Sequence, residues 1–303
     1  SYKILGNFLH GTLHEFYRDR NKLYFKNFFY DRELYKLVKE DLEWLHPAHK
    51  NIRMTITRRG VITYDNYKVD GFNVLLLTLH SGTWMPSIIE RKMLIPPEQR
   101  YREEDIDTHR IYSKLVLEQG GIWIDNKQSR YLIDFNRPVG RAIYFNNSEE
   151  WLNIVWNEPL VEYEMEEIFA SYHEFYFTLE KLVRAYKFNI IIDAHSMRGK
   201  PGRPNISFGT RYIPPFYMPI VKNMQKKLIS LGYAPVLLNV PYEGGYVLKW
   251  LSKKFPHTFI FSMEINKKLY MNKDFSVVLP GKRDRISRLV NALFELGEES
   301  EEE

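Results

Sequence analysis

The stretch "NIIIDAHSMRGKPG", residues 189–202, contains a short apolar run that stops abruptly at polar residues. A run of this length, followed by turn-forming residues, is typical of a strand that is covered on both faces in an α/β sheet. Asp193, His195 and Ser196 come directly after it. Because open α/β sheets bind ligands beyond the carboxyl ends of their strands, we expect these three side chains to lie at a ligand site.

Short apolar runs and amphipathic segments alternate along most of the remaining chain. Strands are predicted at 73–79, 121–125, 130–135, 189–193, 235–240 and 258–264. Helices are predicted at 86–93, 107–119, 159–186, 217–231, 244–254 and 283–296. This order predicts an α/β fold of three layers, α/β/α, with a mixed, mainly parallel sheet.

Residues 1–66 are expected to form an N-terminal extension that packs on the main domain, which is predicted over 67–296. Within the extension, "RMTITRRGVITYD" (53–65) predicts two short strands around Gly60. An amphipathic helix over 31–45 is predicted from the helical spacing of Leu34, Val38, Leu42 and Leu45. The acidic tail, 297–303, is predicted to be disordered.

The composition is that of a globular protein and excludes several classes of site. Of the 303 residues, 44% are hydrophobic and 27% are charged, and there is no cysteine, which excludes disulfides, thiolate catalysis and cysteine-based metal sites. The net charge of +5 is spread over scattered basic residues, so nucleic acid binding is not favoured. No apolar run approaches the roughly 18–20 residues that span a bilayer. We therefore expect a cytoplasmic protein with no membrane partner.

A second apolar run also ends in a His-Ser pair. In "FNVLLLTLHSGTWMP" (72–86) the pair is His80-Ser81. Two strands that each deliver a histidine to one sheet edge suggest zinc, because imidazole is its commonest ligand and a catalytic zinc takes three protein ligands. The segment "REEDIDTHRIY" (102–112) offers Asp105, Asp107 and His109 as a third ligand, and spacing alone does not choose among them.

Two further stretches carry groups suited to hydrolysis. "SRYLIDFNRP" (129–138) places Arg130 and Arg137 around a predicted strand, and the planar arginine head group suits bidentate binding of a carboxylate. "FIFSMEINKKLYM" (259–271) is an apolar strand that reaches Glu264. A carboxylate at a strand end beside a metal is the usual general base for activating water.

Six motifs, in this order, resemble those of the N-formylglutamate amidohydrolase (deformylase) family, and they span about residues 70–290. They are "LHSG", "SRYLIDFNRP", "IDAHSM", "FGTRY", "NVPYEGGY" and "MEINKKLYM". The resemblance implies a fold like that of zinc carboxypeptidases. It also implies a zinc-dependent enzyme that hydrolyses the amide bond of an N-acyl amino acid such as N-formyl-glutamate, a small substrate that bears a carboxylate.

The resemblance also implies residue roles. His80 and His195 match the metal histidines, and one Zn2+ per chain is expected, with Asp105 as the favoured third ligand. Glu264 matches the catalytic glutamate. Asn136 and Arg137 match the pair expected to bind the substrate carboxylate, and Arg130 is a candidate for polarising the scissile carbonyl.

The chain departs from the family pattern at two places, which leaves alternatives open. Many members read Asp-x-His-x-Asp where this chain has Asp107 and His109 after Asp105, so whether either joins the metal site is open. Glu243 stands where members often have lysine. The alternatives are a carboxypeptidase or deacylase for a larger substrate, and a non-catalytic binding protein on a disabled hydrolase fold.

Overall fold

The structure is a computed structural model that describes residues 13–19, 22–25, 32–45, 52–57, 59–145 and 155–294. The strands within these ranges are β1 (Leu13–Asp19), β2 (Lys22–Phe25), β3 (Arg53–Thr57), β4 (Val61–Asn66), β5 (Val74–Thr78), β6 (Gly121–Asn126), β7 (Ile190–Met197), β8 (Ile206–Gly209), β9 (Val236–Leu238) and β10 (Ile260–Asn266). The helices are α1 (Arg32–Leu45), α2 (Ser87–Glu90), α3 (Pro97–Glu103), α4 (Thr108–Tyr112), α5 (Glu162–Ala185), α6 (Met218–Ser230), α7 (Tyr246–Lys254) and α8 (Pro280–Phe294).

The strands form one ten-stranded sheet in the order β2-β1-β3-β4-β6-β5-β7-β10-β8-β9. Strands β6, β5, β7 and β10 are parallel neighbours at its centre. From β5 onward the only antiparallel pairing among the described strands is that of β8 with β10. The first four strands add an antiparallel edge through β4 and β6. The predicted mixed sheet, mainly parallel in its central part, is confirmed.

Strand β5 shows why the centre of the sheet is apolar on both faces. Successive side chains of a strand point to opposite faces. Val74 and Leu76 belong to one buried cluster, whereas Leu75 and Leu77 belong to the other. Both faces are therefore covered, and the strand reads as a continuous apolar run rather than an alternating one.

Helices cover both faces, which gives the predicted three layers. The first cluster includes Val38 of α1, Val221 of α6 and Val290 of α8. The second cluster includes Leu179 of α5 and Leu248 of α7. The helices on each side bury an apolar stripe against the sheet, as their helical spacing predicts.

The predicted strand over 130–135 is wrong. This segment is a turn in which the Leu132 and Ile133 amides donate to the Ser129 carbonyl at 3.0 and 3.3 Å. The Ser129 hydroxyl also accepts a hydrogen bond from the Tyr131 amide at 3.2 Å. The apolar side chains here are buried, so the composition reflects burial rather than an extended backbone.

Other elements differ from their predictions in length. The predicted helix over 107–119 divides into α4 and a π-helical turn, Leu115–Gln119, and the one over 86–93 is reduced to α2. Helix α3 and strand β8 were not predicted, because their short segments lack clear apolar periodicity. The two strands around Gly60 are confirmed, and Gly60 has a φ of 81°, which favours glycine.

Of the predicted divisions, the described residues include only part of the N-terminal extension, and the tail 297–303 lies outside them. The described part of 1–66 contributes strands to the same sheet as the main domain. The boundary at residues 66 and 67 stays a prediction. No helix in the described ranges has the length and apolar character needed to cross a membrane.

Candidate metal centre

The structure brings together His80, Asp105 and His195, which are far apart in sequence. One ligand atom from each residue lies within 4.8 Å of the other two, and all three residues are buried. Among the described residues no other group of three or more such side chains meets this criterion. The three metal ligands predicted from the sequence thus form one cluster.

His195 and Glu264 reach the site from adjacent parallel strands. Strand β7 was predicted to end at Asp193. It continues to Met197, because β10 pairs with it from Ile191 to Met197. Glu264 is the register partner of His195. Register partners on neighbouring strands point to the same face, so the Glu264 carboxyl lies on the same side of the sheet as the His195 imidazole.

His80 and Asp105 are joined through their main chains. His80 follows strand β5, and its carbonyl accepts a hydrogen bond from the Asp105 amide at 2.9 Å. Asp105 lies in the short connection between α3 and α4, where its own carbonyl accepts a hydrogen bond from the Thr108 hydroxyl at 2.5 Å. The Asp105 carboxylate is therefore presented by a backbone that is hydrogen-bonded on both sides.

Each imidazole contacts a buried carboxylate through Nε2. The His80 Nε2 lies 2.7 Å from Asp134 Oδ1, and the His195 Nε2 lies 2.8 Å from Asp193 Oδ1. On the other edge, the Asp105 Oδ2 lies 3.0 Å from His195 Nδ1 and 3.8 Å from His80 Nδ1. A carboxylate on the far nitrogen is the usual way in which a metal-binding histidine is oriented.

The arrangement of these atoms fits a divalent metal. The His80 Nδ1 atom is buried and has no hydrogen-bond partner, although it faces Asp105. In a tetrahedral zinc site the ligand atoms are about 3.3 Å apart, which follows from Zn–N and Zn–O distances of about 2.0–2.1 Å. The separations of 3.0 and 3.8 Å lie on either side of that value. The donor set therefore indicates a metal.

The two histidines of the cluster lie in opposite electrostatic environments. Burial lowers the pKa of His80, and Arg130 lowers it further. Burial would lower the pKa of His195 too, but Asp193 and Asp105 outweigh burial and raise it well above its ordinary value. Several buried carboxylates around one imidazole thus create a negative potential at the point where the metal ligands converge.

Glu264 is buried beside this cluster. Burial raises its pKa to about 7, although His195 opposes this change, while Asp105 and Asp193 support it. Its Oε2 atom has no hydrogen-bond partner. A buried carboxyl with a pKa near neutrality and an uncommitted oxygen has the properties of a general acid–base group.

Arg130 and Arg137 both lie near Asp134, the carboxylate that contacts His80. The Arg130 Nη2 donates to Asp134 Oδ2 at 3.0 Å, and the Arg137 Nε lies 3.6 Å from the same oxygen. The Tyr144 hydroxyl also donates to Asp134, and the Arg137 guanidinium lies 4.7 Å from the centre of the Tyr144 ring. Two cationic side chains are thus held beside the proposed metal site.

Asn136 is tied to the protein by both ends of its amide group. Its Nδ2 donates to Asp193 Oδ2 at 2.9 Å, and its Oδ1 accepts a hydrogen bond from the Val247 amide at 3.0 Å. This close approach explains the second glycine of the "NVPYEGGY" motif, since a Cβ on Gly245 would lie 2.1 Å from Asn136 Oδ1. Its assignment to substrate binding stays a prediction.

The two open candidates for the metal site, Asp107 and His109, point elsewhere. The Asp107 carboxylate forms an ion pair with Arg283 at 2.9 Å, and His109 Nε2 lies 3.0 Å from the Asp41 carboxylate of α1. Neither belongs to the cluster of ligand atoms. Of the "DIDTH" segment, only the first acid, Asp105, belongs to the cluster.

The sequence interpretation did not predict that Asp134 and Asp193 contact the two histidines. A signal for Asp193 was available, because residues two apart in a strand lie on the same face and Asp193 precedes His195 by two. No comparable signal exists for Asp134, whose approach to His80 depends on the turn after Ser129.

Comparison with known proteins supports the relationship suggested by the motifs. The family described as N-formylglutamate amidohydrolase matches residues 72–271, more than half of the chain. A search of curated proteins found no match.

Among solved structures, an N-formylglutamate amidohydrolase from Ralstonia eutropha JMP134 is similar with a TM-score of 0.61 and 17% identity, over 78% of this chain and 97% of that one. The gene product Atu2144 from Agrobacterium tumefaciens gives a TM-score of 0.59 and 17% identity, over 78% and 92% of the two chains. A metallo-carboxypeptidase from Burkholderia cenocepacia gives a TM-score of 0.38 and 10% identity, over 94% of this chain and 79% of that one.

Proposed function

Because the chain belongs to the N-formylglutamate amidohydrolase family and is an amidohydrolase, we propose that it uses zinc to hydrolyse the amide bond of an N-acyl amino acid. N-formyl-glutamate or a near relative is the proposed substrate. The observation that carries this proposal is the buried cluster of His80, Asp105 and His195 with Glu264 beside it. The cluster supplies a metal site, and Glu264 supplies a base.

The chain's own residues would hold the metal and move the proton. His80, Asp105 and His195 are the proposed ligands. A bound zinc lowers the pKa of a coordinated water toward about 7 and polarises the amide carbonyl. Glu264 takes a proton from the attacking water as the new C–O bond forms. It then gives that proton to the departing nitrogen as the C–N bond breaks, because an amide anion is too basic to leave unprotonated.

Arginines are the proposed electrophilic groups of the site. Arg137 would bind the substrate's α-carboxylate, since its head group offers two parallel donors to two oxygens. Arg130 would donate to the oxygen that becomes negative when water adds to the carbonyl. Both residues are mostly buried but retain a little exposure, with side chains 13% exposed for Arg137 and 16% for Arg130.

We expect the purified wild-type protein to contain about one zinc per chain and to cleave N-acyl amino acids. The measurement is elemental analysis combined with an assay of N-formyl and N-acetyl amino acids and of peptides with a free C-terminus. Cleavage of the peptides alone would favour the carboxypeptidase alternative. Zinc-loaded protein that cleaves neither class would contradict the hydrolase proposal, and protein that takes up no metal would contradict the site.

The variant His195→Ala is expected to lose stoichiometric zinc, because it removes one of three ligands and leaves Asp105 and Asp193 without the imidazole between them. Elemental analysis after dialysis against a weak chelator measures the loss. His173→Ala is a matched control, since His173 is exposed on α5. Equal zinc in His195→Ala and wild type would exclude His195 as a ligand.

The variant Arg137→Ala is expected to weaken substrate binding by about 2–4 kcal/mol, the usual cost of losing a charge-assisted bidentate contact. The loss should appear mainly in KM, with kcat less affected, in steady-state kinetics. Arg141→Ala is the control, because Arg141 lies four residues away and is exposed. Unchanged KM, or loss of zinc and folding in place of affinity, would show that Arg137 has another role.

A further inference from the structure

Lys267 is a buried cation near the proposed metal site that the mechanism does not use. It begins the short 3-10 turn Lys267–Leu269 that follows β10, three residues after Glu264. Its side chain is fully buried, whereas the side chain of the next residue, Lys268, is exposed. A buried ammonium group is costly unless its charge is compensated, so its partners indicate what it does.

The partners of Lys267 are main-chain carbonyls in the segment that presents Asp105. Its Nζ donates to the Arg102 carbonyl at 2.8 Å and also to the Glu104 carbonyl. The same turn reaches this segment a second time, because the Tyr270 hydroxyl donates to the Ile106 carbonyl at 2.9 Å. The backbone is therefore held on both sides of Asp105 by residues that follow the strand of Glu264.

The positive charge of Lys267 lies close to several acidic side chains. Burial lowers the pKa of Lys267 to about 8, and the nearby acidic side chains of Asp105, Glu103 and Glu104 oppose this change. A positive charge at this place compensates the carboxylates that lie next to one another in the 103–105 segment. A neutral side chain of the same length would leave the two carbonyls without their donor and the carboxylates without this compensation.

We propose that Lys267 is a positioning residue that fixes the backbone of 102–106 and thereby holds the Asp105 carboxylate where His80 and His195 converge. This proposal rests on the proposed metal site. It adds a structural connection between the segment of Asp105 and the strand of Glu264. The turn after β10 joins the strand of the base, Glu264, to the loop of the ligand, Asp105. Displacing the loop would change the distances between ligand atoms without removing any ligand.

The test compares Lys267→Met with the matched control Lys268→Met, which removes the same group from the exposed neighbour. In folded, metal-free protein, we expect faster amide hydrogen exchange over residues 102–108 in Lys267→Met than in wild type. We also expect about 10–100-fold weaker zinc binding in a chelator competition, the usual effect of losing a group that orients a ligand. Lys268→Met should match wild type in both measurements.

Tyr270→Phe provides a second variant that keeps the shape of the side chain and removes only the hydroxyl that donates to Ile106. It is expected to show the same two changes to a smaller extent. If Lys267→Met does not fold, Lys267→Gln, which is polar but shorter and uncharged, is measured in its place. Wild-type exchange and zinc affinity in the folded Lys267 variant would overturn the proposal. Failure of wild type to bind zinc would instead reject the metal site, while the exchange comparison would still test the role of Lys267.

Discussion

The variant Glu264→Gln is expected to lower kcat by about 10²–10⁴-fold while zinc content and substrate affinity stay near those of wild type. Glutamine has nearly the same shape as glutamate but cannot take a proton from water at neutral pH. Because Glu264 is the register partner of His195 and is not one of the three proposed ligands, its replacement should leave the metal in place. Steady-state kinetics together with elemental analysis measures both effects.

The environment of Glu264 is the physical reason for so large an effect. Its pKa of about 7, raised by burial, allows the carboxyl group to accept and release a proton near neutral pH. Glu166→Gln is a control for the substitution itself, since Glu166 is exposed on α5. Near-normal turnover of Glu264→Gln would remove Glu264 from the mechanism, and loss of zinc in this variant would point to a ligand role.

The positions of His80 and His195 could be predicted because the necessary information lies in the few residues around each of them. His80 and His195 each follow an apolar run, and the carboxyl ends of parallel strands lie at one edge of a sheet. Their position needed only the correct identification of two strands. Asp105 needed the family resemblance as well, because nothing in its spacing distinguished it from Asp107 and His109.

The groups that orient the ligands could not be predicted in the same way. The Asp134 carboxylate contacts His80 because residues 129–133 form a turn. The apolar sequence of this segment had predicted a strand. Lys267 donates to the main-chain carbonyls of Arg102 and Glu104. Because every residue has such a carbonyl, the residue types at 102 and 104 give no indication of this contact. Contacts of this kind depend on the path of the backbone, which single-residue patterns do not determine.

A further ion-pair network joins the N-terminal helix α1 to the sheet near His80. The buried Asp41 carboxylate of α1 forms an ion pair with Lys127, and its Oδ1 lies 3.0 Å from His109 Nε2. Lys127 in turn lies 2.6 Å from Asp125, whose Oδ1 accepts a hydrogen bond from the Ser81 hydroxyl at 2.7 Å. The network therefore runs from α1 to the residue that follows His80.

The pKa of Asp41 reflects these partners. Burial alone would raise it, but Lys127 and His109 lower it below its ordinary value. A lowered carboxylate pKa contributes stability that is present above the unfolded pKa of about 3.9 and is lost as the pH falls through the folded value. The charged form of Asp41 is therefore expected to stabilise the fold at neutral pH.

Asp41→Asn is expected to lower the free energy of unfolding by about 1–3 kcal/mol at neutral pH, because it removes one of the two carboxylates that compensate the buried Lys127 ammonium group and leaves only Asp125. Denaturant unfolding with a chelator present measures this change without a contribution from bound metal. Glu40→Gln is the matched control, since Glu40 precedes Asp41 on α1 but is exposed, and it should change stability by less than about 0.5 kcal/mol.

The acid dependence of the same variants tests the cause of the loss. If the Asp41 carboxylate is responsible, the stability difference between wild type and Asp41→Asn should shrink as the pH falls below about 4, because the unfolded wild type then takes up a proton at Asp41 that the folded protein, with its lowered pKa, does not. A difference that does not change with pH would indicate altered packing of α1 in place of a lost ion pair. No difference at neutral pH would mean that the Asp41 carboxylate contributes little net stability beyond the apolar packing of α1.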